Sequence, residues 1–83
     1  MRIVDLKRVL MLSECSYKIH IVAFELNSRV STVWNSIHQV EEKLGYRIFS
    51  RRGPDYIGLT EKGKEAIKQI RNILRDYKEL DLR

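Results

Sequence analysis

All four glycines and the single proline fall at or after position 45 (Gly45, Gly53, Pro54, Gly58 and Gly63), so 44 residues run without either of the strongest backbone punctuators. That stretch should be nearly all helix and short turns. Ile3, Leu6, Val9 and Leu10 recur at helical spacing and predict a first helix from about Val4 to Glu14. Cys15-Ser16-Tyr17 reads as a turn with Ser16 as N-cap. A short second helix buries Ile19, Val22, Ala23 and Leu26, and Asn27-Ser28-Arg29 interrupts it. A third helix starts near Val30, turns Val33, Trp34, Ile37, Val40 and Leu44 inward, and ends at Gly45, which can take a left-handed C-cap.

Beyond Gly45 the period changes. Tyr46 to Arg51 has strand composition, Arg52-Gly53-Pro54-Asp55 reads as a turn, and Tyr56 to Leu59 returns as the second strand of a hairpin. Thr60 is the N-cap of a last helix that runs to about Leu80, with Glu61 at its positive end. Leu59, Gly63, Ala66, Ile70, Ile73, Tyr77 and Leu80 follow each other in heptad steps, and Ile67 and Leu74 widen the stripe. The expectation is a mainly α chain with a small β-hairpin. It forms a single domain over 1–83, with core and wing in 1–58 and a C-terminal helix in 59–83.

Charge is as unevenly placed as glycine. The net charge is +5; residues 1–42 carry five basic and five acidic side chains, whereas residues 43–83 carry eleven and six. An excess confined to one half is what a footprint on a polyanion looks like. Lys43, Arg47, Arg51 and Arg52 are four cations with no anion between them, and Arg51 and Arg52 sit at the hairpin tip beside Gly53. There they can reach phosphates or a minor groove, or serve only as solubilising charge on an edge strand.

Helix, short helix, turn, helix and basic hairpin is the order of a winged helix-turn-helix, in which the third helix enters the major groove. On a helical wheel, Ser31, Thr32, Asn35 and Gln39 oppose the apolar face of that helix. These uncharged groups can donate and accept at base edges, and amides pair with adenine. They are the expected base-reading residues; the alternative is an ordinary solvated face. Ser28, Arg29, Ser36 and His38 join Lys43, Arg47, Arg51 and Arg52 as expected backbone contacts.

The run Val33 to Arg51, VWNSIHQVEEKLGYRIFSR, followed by Leu59-Thr60-Glu61-Lys62-Gly63, resembles the N-terminal domain of LysR-type transcriptional regulators. Ile37, Val40, Glu41, Leu44, Gly45, Ile48, Phe49, Arg51, Leu59, Thr60 and Gly63 match that family's pattern, and Val22-Ala23 with Leu26 fit its second helix. Ser31 to Ile37 is also similar to ModE-type molybdate-responsive regulators, which carry a tryptophan where Trp34 stands. The resemblance implies a DNA-binding module that dimerises through its last helix. It also implies that Ser31, Thr32, Asn35 and Ser36 face the groove, with Arg51 on the backbone or minor groove. Arg29-Val30-Ser31 replaces the usual S-Q-P, so the target sequence does not carry over. Lys18 replaces the customary serine before the second helix. Neither family's effector-binding domain has a counterpart here, so no small-molecule sensing is expected of these residues.

Other classes fit poorly. No apolar run approaches the roughly 20 residues of a membrane span, and no secretory signal is visible. The lone Cys15 suits a reducing cytoplasm, and with His20 and His38 it forms no metal spacing. Glu41-Glu42 beside Lys43 reads as a structural charge cluster, and no enzyme, cofactor or metal site is expected. Past Ile67 the apolar stripe of the last helix outruns a three-helix core. Ala66, Ile70, Ile73, Leu74, Tyr77 and Leu80 are therefore the expected interface of a homodimer that binds double-stranded DNA in the cytoplasm, at the nucleoid. Two other readings stay open: a sequence-nonspecific architectural DNA-binding protein, and a winged-helix module for protein interaction.

Overall fold

The computed structural model describes residues 1–81; positions 82 and 83, the end of the expected 59–83 segment, lie outside the described residues. The elements are α1 (Ile3–Glu14), α2 (Ile19–Glu25), α3 (Val30–Leu44), β1 (Phe49–Arg52), β2 (Asp55–Leu59) and α4 (Glu61–Asp81). Leu6, Val9 and Leu12 of α1, Val22 and Ala23 of α2, and Val33, Ile37 and Val40 of α3 meet in one core. Ile48, Phe49 and Tyr56 close it from the hairpin side, and Ala66, Ile67 and Ile70 from α4. The architecture is a winged helix-turn-helix with a long C-terminal helix.

The α1–α2 turn is tighter than sequence reasoning predicts. Ser16 does not cap α2. Ser16 and Tyr17 both take positive φ, 54° and 63°, and Lys18 occupies the N-cap position without a side-chain hydrogen bond. The Tyr17 N–H donates to the Leu12 carbonyl at 3.0 Å, and its ring meets Phe49 edge-on at 6.2 Å. Closing the helix end on the core thus outweighs a side-chain cap. At the end of α3, Gly45 has φ 80°, and its N–H donates to the Glu41 carbonyl at 2.9 Å.

The first strand begins at Phe49, not Tyr46. The approach to it is held from the side instead: the Glu41 carboxylate accepts the N–H groups of Ile48 (2.8 Å) and Phe49 (3.2 Å). The turn is the pair Gly53-Pro54, between partners Arg52 and Asp55. Gly53 has φ 59° and the proline ring holds φ negative, the signs a type II′ turn requires. Ser50 pairs with Gly58 and Arg51 with Tyr56, which leaves Ile57 as the extra residue of a bulge.

Thr60 does cap α4, its Oγ accepting the Gly63 N–H at 2.9 Å and donating to the Arg47 carbonyl at 2.5 Å. Gly63 faces the Ile48 carbonyl so closely that an added Cβ would land on it. This is the physical content of the Leu-Thr-x-x-Gly stretch. The threonine ends the wing and starts the helix, and the glycine lets the two backbones touch.

Candidate nucleic-acid interface

The solvent face of α3 is built by default, since Val33, Ile37 and Val40 fix which side is buried. Ser31, Asn35 and Gln39 are exposed and Thr32 is half-buried. Arg29, exposed, holds the N-cap position without a side-chain hydrogen bond, leaving the first-turn amides of α3 uncapped. Ser28 is half-buried, and its hydroxyl donates to the Leu26 carbonyl at 3.2 Å. Val30 and Trp34 are also on the surface, at 45% and 39% exposure. Trp34 lies further out than a core position and packs against His38, ring centroids 3.7 Å apart and planes tilted by 40°. His38 is half-buried beneath it, with its Nε2 shielded and unpartnered in the protein.

Ser36 corrects an expectation. It is buried at 3% exposure, because one step along the wheel from Asn35 turns it toward α1 and not toward solvent. Its hydroxyl donates to Asp5 Oδ1 at 2.7 Å and accepts from Arg8 at 2.8 Å. Arg8 and Arg2 also lie 3.6 and 3.4 Å from the Asp5 carboxylate. Burial alone would raise the Asp5 pKa; the Ser36 hydroxyl and the Arg2 guanidinium outweigh it and hold the carboxyl below its ordinary value of 3.8. Ser36 therefore sets the position of α3 on α1. No signal in the sequence marks Asp5, Arg8 and Ser36 as a cluster, since they stand 31 and 28 residues apart along the chain.

Above this cluster is a cleft of about 550 Å³ in which Thr32, Asn35, Gln39 and Lys43 of α3 face Arg2, at the N-cap of α1, and Asp5 and Arg8 within it. Three of the four expected base-reading residues thus share one concavity. On the other flank, a shallower depression joins His38, Glu41 and Glu42 to Tyr46 and Arg47. Arg47 and Arg52 are exposed and Arg51 is half-buried, opposite Tyr56 in the hairpin. Burial raises the Tyr56 pKa and the Glu41 carboxylate raises it further, against the guanidiniums of Arg51 and Arg47. Among the described residues, Lys43, Arg47, Arg51 and Arg52 enter none of the ion pairs.

The last helix divides at Ile70. Ala66 and Ile70, expected at a subunit interface, are only 2% and 4% exposed because the chain's own α1 and hairpin cover them. Leu74 is half-buried. Ile73 and Tyr77 are 46% exposed and Leu80 is 70% exposed. Among the described residues, no cluster of side chains could hold a metal ion, and no helix is long and apolar enough to cross a membrane.

No protein-family model matches the chain. Over 60 residues, 72% of its length, it is 38% identical to the HTH-type transcriptional regulator Cbl of Klebsiella aerogenes, and it spans 19% of that protein. Solved structures of similar fold include full-length OxyR from Pseudomonas aeruginosa, at TM-score 0.89 and 20% identity over 98% of this chain and 27% of that one. The DNA complex of the CbnR DNA-binding domain superposes over the whole of both chains, at TM-score 0.82 and 20% identity. The BenM DNA-binding domain on its catB site follows at TM-score 0.86 and 18% identity, over 96% of this chain and 84% of that one. CbnR is a LysR family transcriptional regulator. In sequence over most of its length and in fold over nearly all of it, the chain resembles the winged helix-turn-helix DNA-binding domain of the LysR-type transcriptional regulators.

Proposed function

We propose that this chain is the DNA-binding part of a transcriptional regulator, acting as a homodimer on specific duplex sites at the nucleoid. In this reading α3 enters the major groove and the hairpin lies on the backbone or in the adjoining minor groove. One observation carries it: an exposed, uncharged stripe of Ser31, Asn35 and Gln39 lies on a helix next to cations that enter no ion pair among the described residues. Base edges are read by such neutral donors and acceptors, and phosphates hold the register. The DNA complexes of CbnR and BenM domains with this fold support the same reading.

The exposed stripe Ile73, Tyr77 and Leu80 supports the dimer, because a second copy would remove it from water and place two α3 helices on one duplex. Sedimentation should show a dimer at micromolar concentration, and Ile73→Ser with Tyr77→Ser should leave a folded monomer. Selection of bound sites from a random duplex pool, followed by competition with unselected DNA, tests the function itself. A selected site should win by at least about 1000-fold. A ratio near one would leave only backbone binding, and no complex at low salt would leave a protein-interaction module.

A further inference from the structure

The whole charge excess lies after residue 42, yet Arg2, before α1, and Arg8, within it, return two cations to the α3 face. Arg2, Arg8 and Lys43 line one cleft, and Asp5 is its only carboxylate. Arg8 is locked in place: its side chain is 14% exposed, one guanidinium nitrogen sits 2.8 Å from Ser36, and its Nε finds no partner in the protein. Arg2 is the opposite case, 74% exposed and touching Asp5 only through two contacts of 3.4 Å, at the far edge of hydrogen bonding. Lys43 is exposed and outside every ion pair among the described residues. The start of α1 has no side-chain cap either, and Met1, Arg2 and Asp5 from that end line the same cleft.

The Asp5 carboxylate cannot balance three cations, and the Ser36 hydroxyl already uses one of its oxygens at 2.7 Å. The surplus is positive, and it opens beside Asn35 and Gln39, on the surface assigned above to base edges. We propose that this α1–α3 cleft seats a backbone phosphate of the bound duplex, with Arg2 swinging from Asp5 to the phosphate, Lys43 opposite it and Arg8 fixed beneath. The proposal rests on the DNA reading and deepens it. The reading helix is gripped on both flanks, by the wing on one side and by the cleft on the other, so its approach angle is fixed by two phosphates and not by one.

The test uses the full chain and measures affinity for a selected duplex and a random duplex over a salt series. Arg2→Ala and Lys43→Ala should each flatten the salt dependence by about 0.9 in the log–log slope, equally on both duplexes. Arg2→Lys should restore most of the slope, while the denaturation midpoint of Arg2→Ala falls far less than that of Ser36→Ala. On the selected site, ethylation of one phosphate should impair the wild-type chain but not the doubly substituted one. Unchanged slopes for both alanine variants, with Arg51→Ala still flattening the slope, would overturn the cleft and leave the DNA reading intact. Failure of wild-type chain to bind duplex at low salt would instead remove the reading on which the cleft depends. A free anion is the remaining occupant: if inorganic phosphate at millimolar concentration shifts the Ile3 and Val4 amide resonances and duplex does not, the cleft is not a DNA site.

Discussion

The two flanks of α3 are both cationic but are built differently. On the α1 side the charge is anchored in the interior, where Asp5, Ser36 and Arg8 form a buried hydrogen-bonded set that also fixes the helix. On the wing side Arg47, Arg51 and Arg52 ride on a hairpin whose own anchoring is done by other groups: the Glu41 carboxylate, the Thr60 cap and the Gly63 close approach. On the first flank, Arg8 both bears charge and carries fold stability. On the second the two tasks are separated. Cations can therefore be exchanged on the wing at little cost to the fold, whereas changes beneath the cleft cost stability as well.

The largest effect expected of this division is at Gly63. Its replacement by alanine drives a Cβ into the Ile48 carbonyl, a backbone atom that cannot step aside, and should cost about 3 kcal/mol or more in denaturant unfolding. A loss under 1 kcal/mol would mean that the wing is not locked to α4 as described. Ser36→Ala should come next, at about 1–3 kcal/mol, since it strands a buried carboxylate and an arginine nitrogen. The same cluster predicts an acid limb. Because the folded Asp5 pKa lies below 3.8, its contribution to stability is complete above that pH and is lost as pH falls through the lower folded value. Asp5→Asn should flatten the midpoint-against-pH curve in that window only; an unchanged curve would separate Asp5 from acid unfolding.

Binding should show smaller and more selective changes. Asn35→Ala should weaken the preferred duplex by about 1–3 kcal/mol and random duplex hardly at all. Equal losses on both would assign Asn35 to the backbone. Arg51→Ala should weaken every duplex alike and lower the salt slope by about 1, with a midpoint close to that of the unaltered chain. If Arg51→Ala proved as destabilising as Ser36→Ala, the contrast between the flanks would fail.

The helices and the hairpin were legible along the chain because each depends on periods and punctuation within about fifteen residues. Gly45 ends α3 and Thr60 starts α4 where their chemistry says they should. The boundaries that missed did so where a distant group intervened. The strand starts late because Glu41 accepts the Ile48 and Phe49 amides, and α2 lacks its serine cap because the preceding turn closes on the core. Glu41 carried a usable signal, an acidic residue matching the LysR-type pattern, but its position in that pattern did not say what it holds.

The candidate surface divides in the same way. Periodicity determined which side of α3 is apolar, and so which of Ser31, Asn35 and Gln39 reach solvent, because a helix with one buried stripe has only one other side to show. The wheel sets Ser36 one step away from Asn35, but only the packing of α1 shows that this step buries it. Periodicity could not separate Ala66 and Ile70 from Ile73 and Tyr77, which share one stripe and differ in how far the rest of the chain extends over them. Nor could it bring Arg2 and Arg8 to α3, since that meeting depends on the packing of α1 across α3, a contact between residues about thirty positions apart. Local pattern sets the faces; only packing decides which parts of each face are covered and which charges become neighbours.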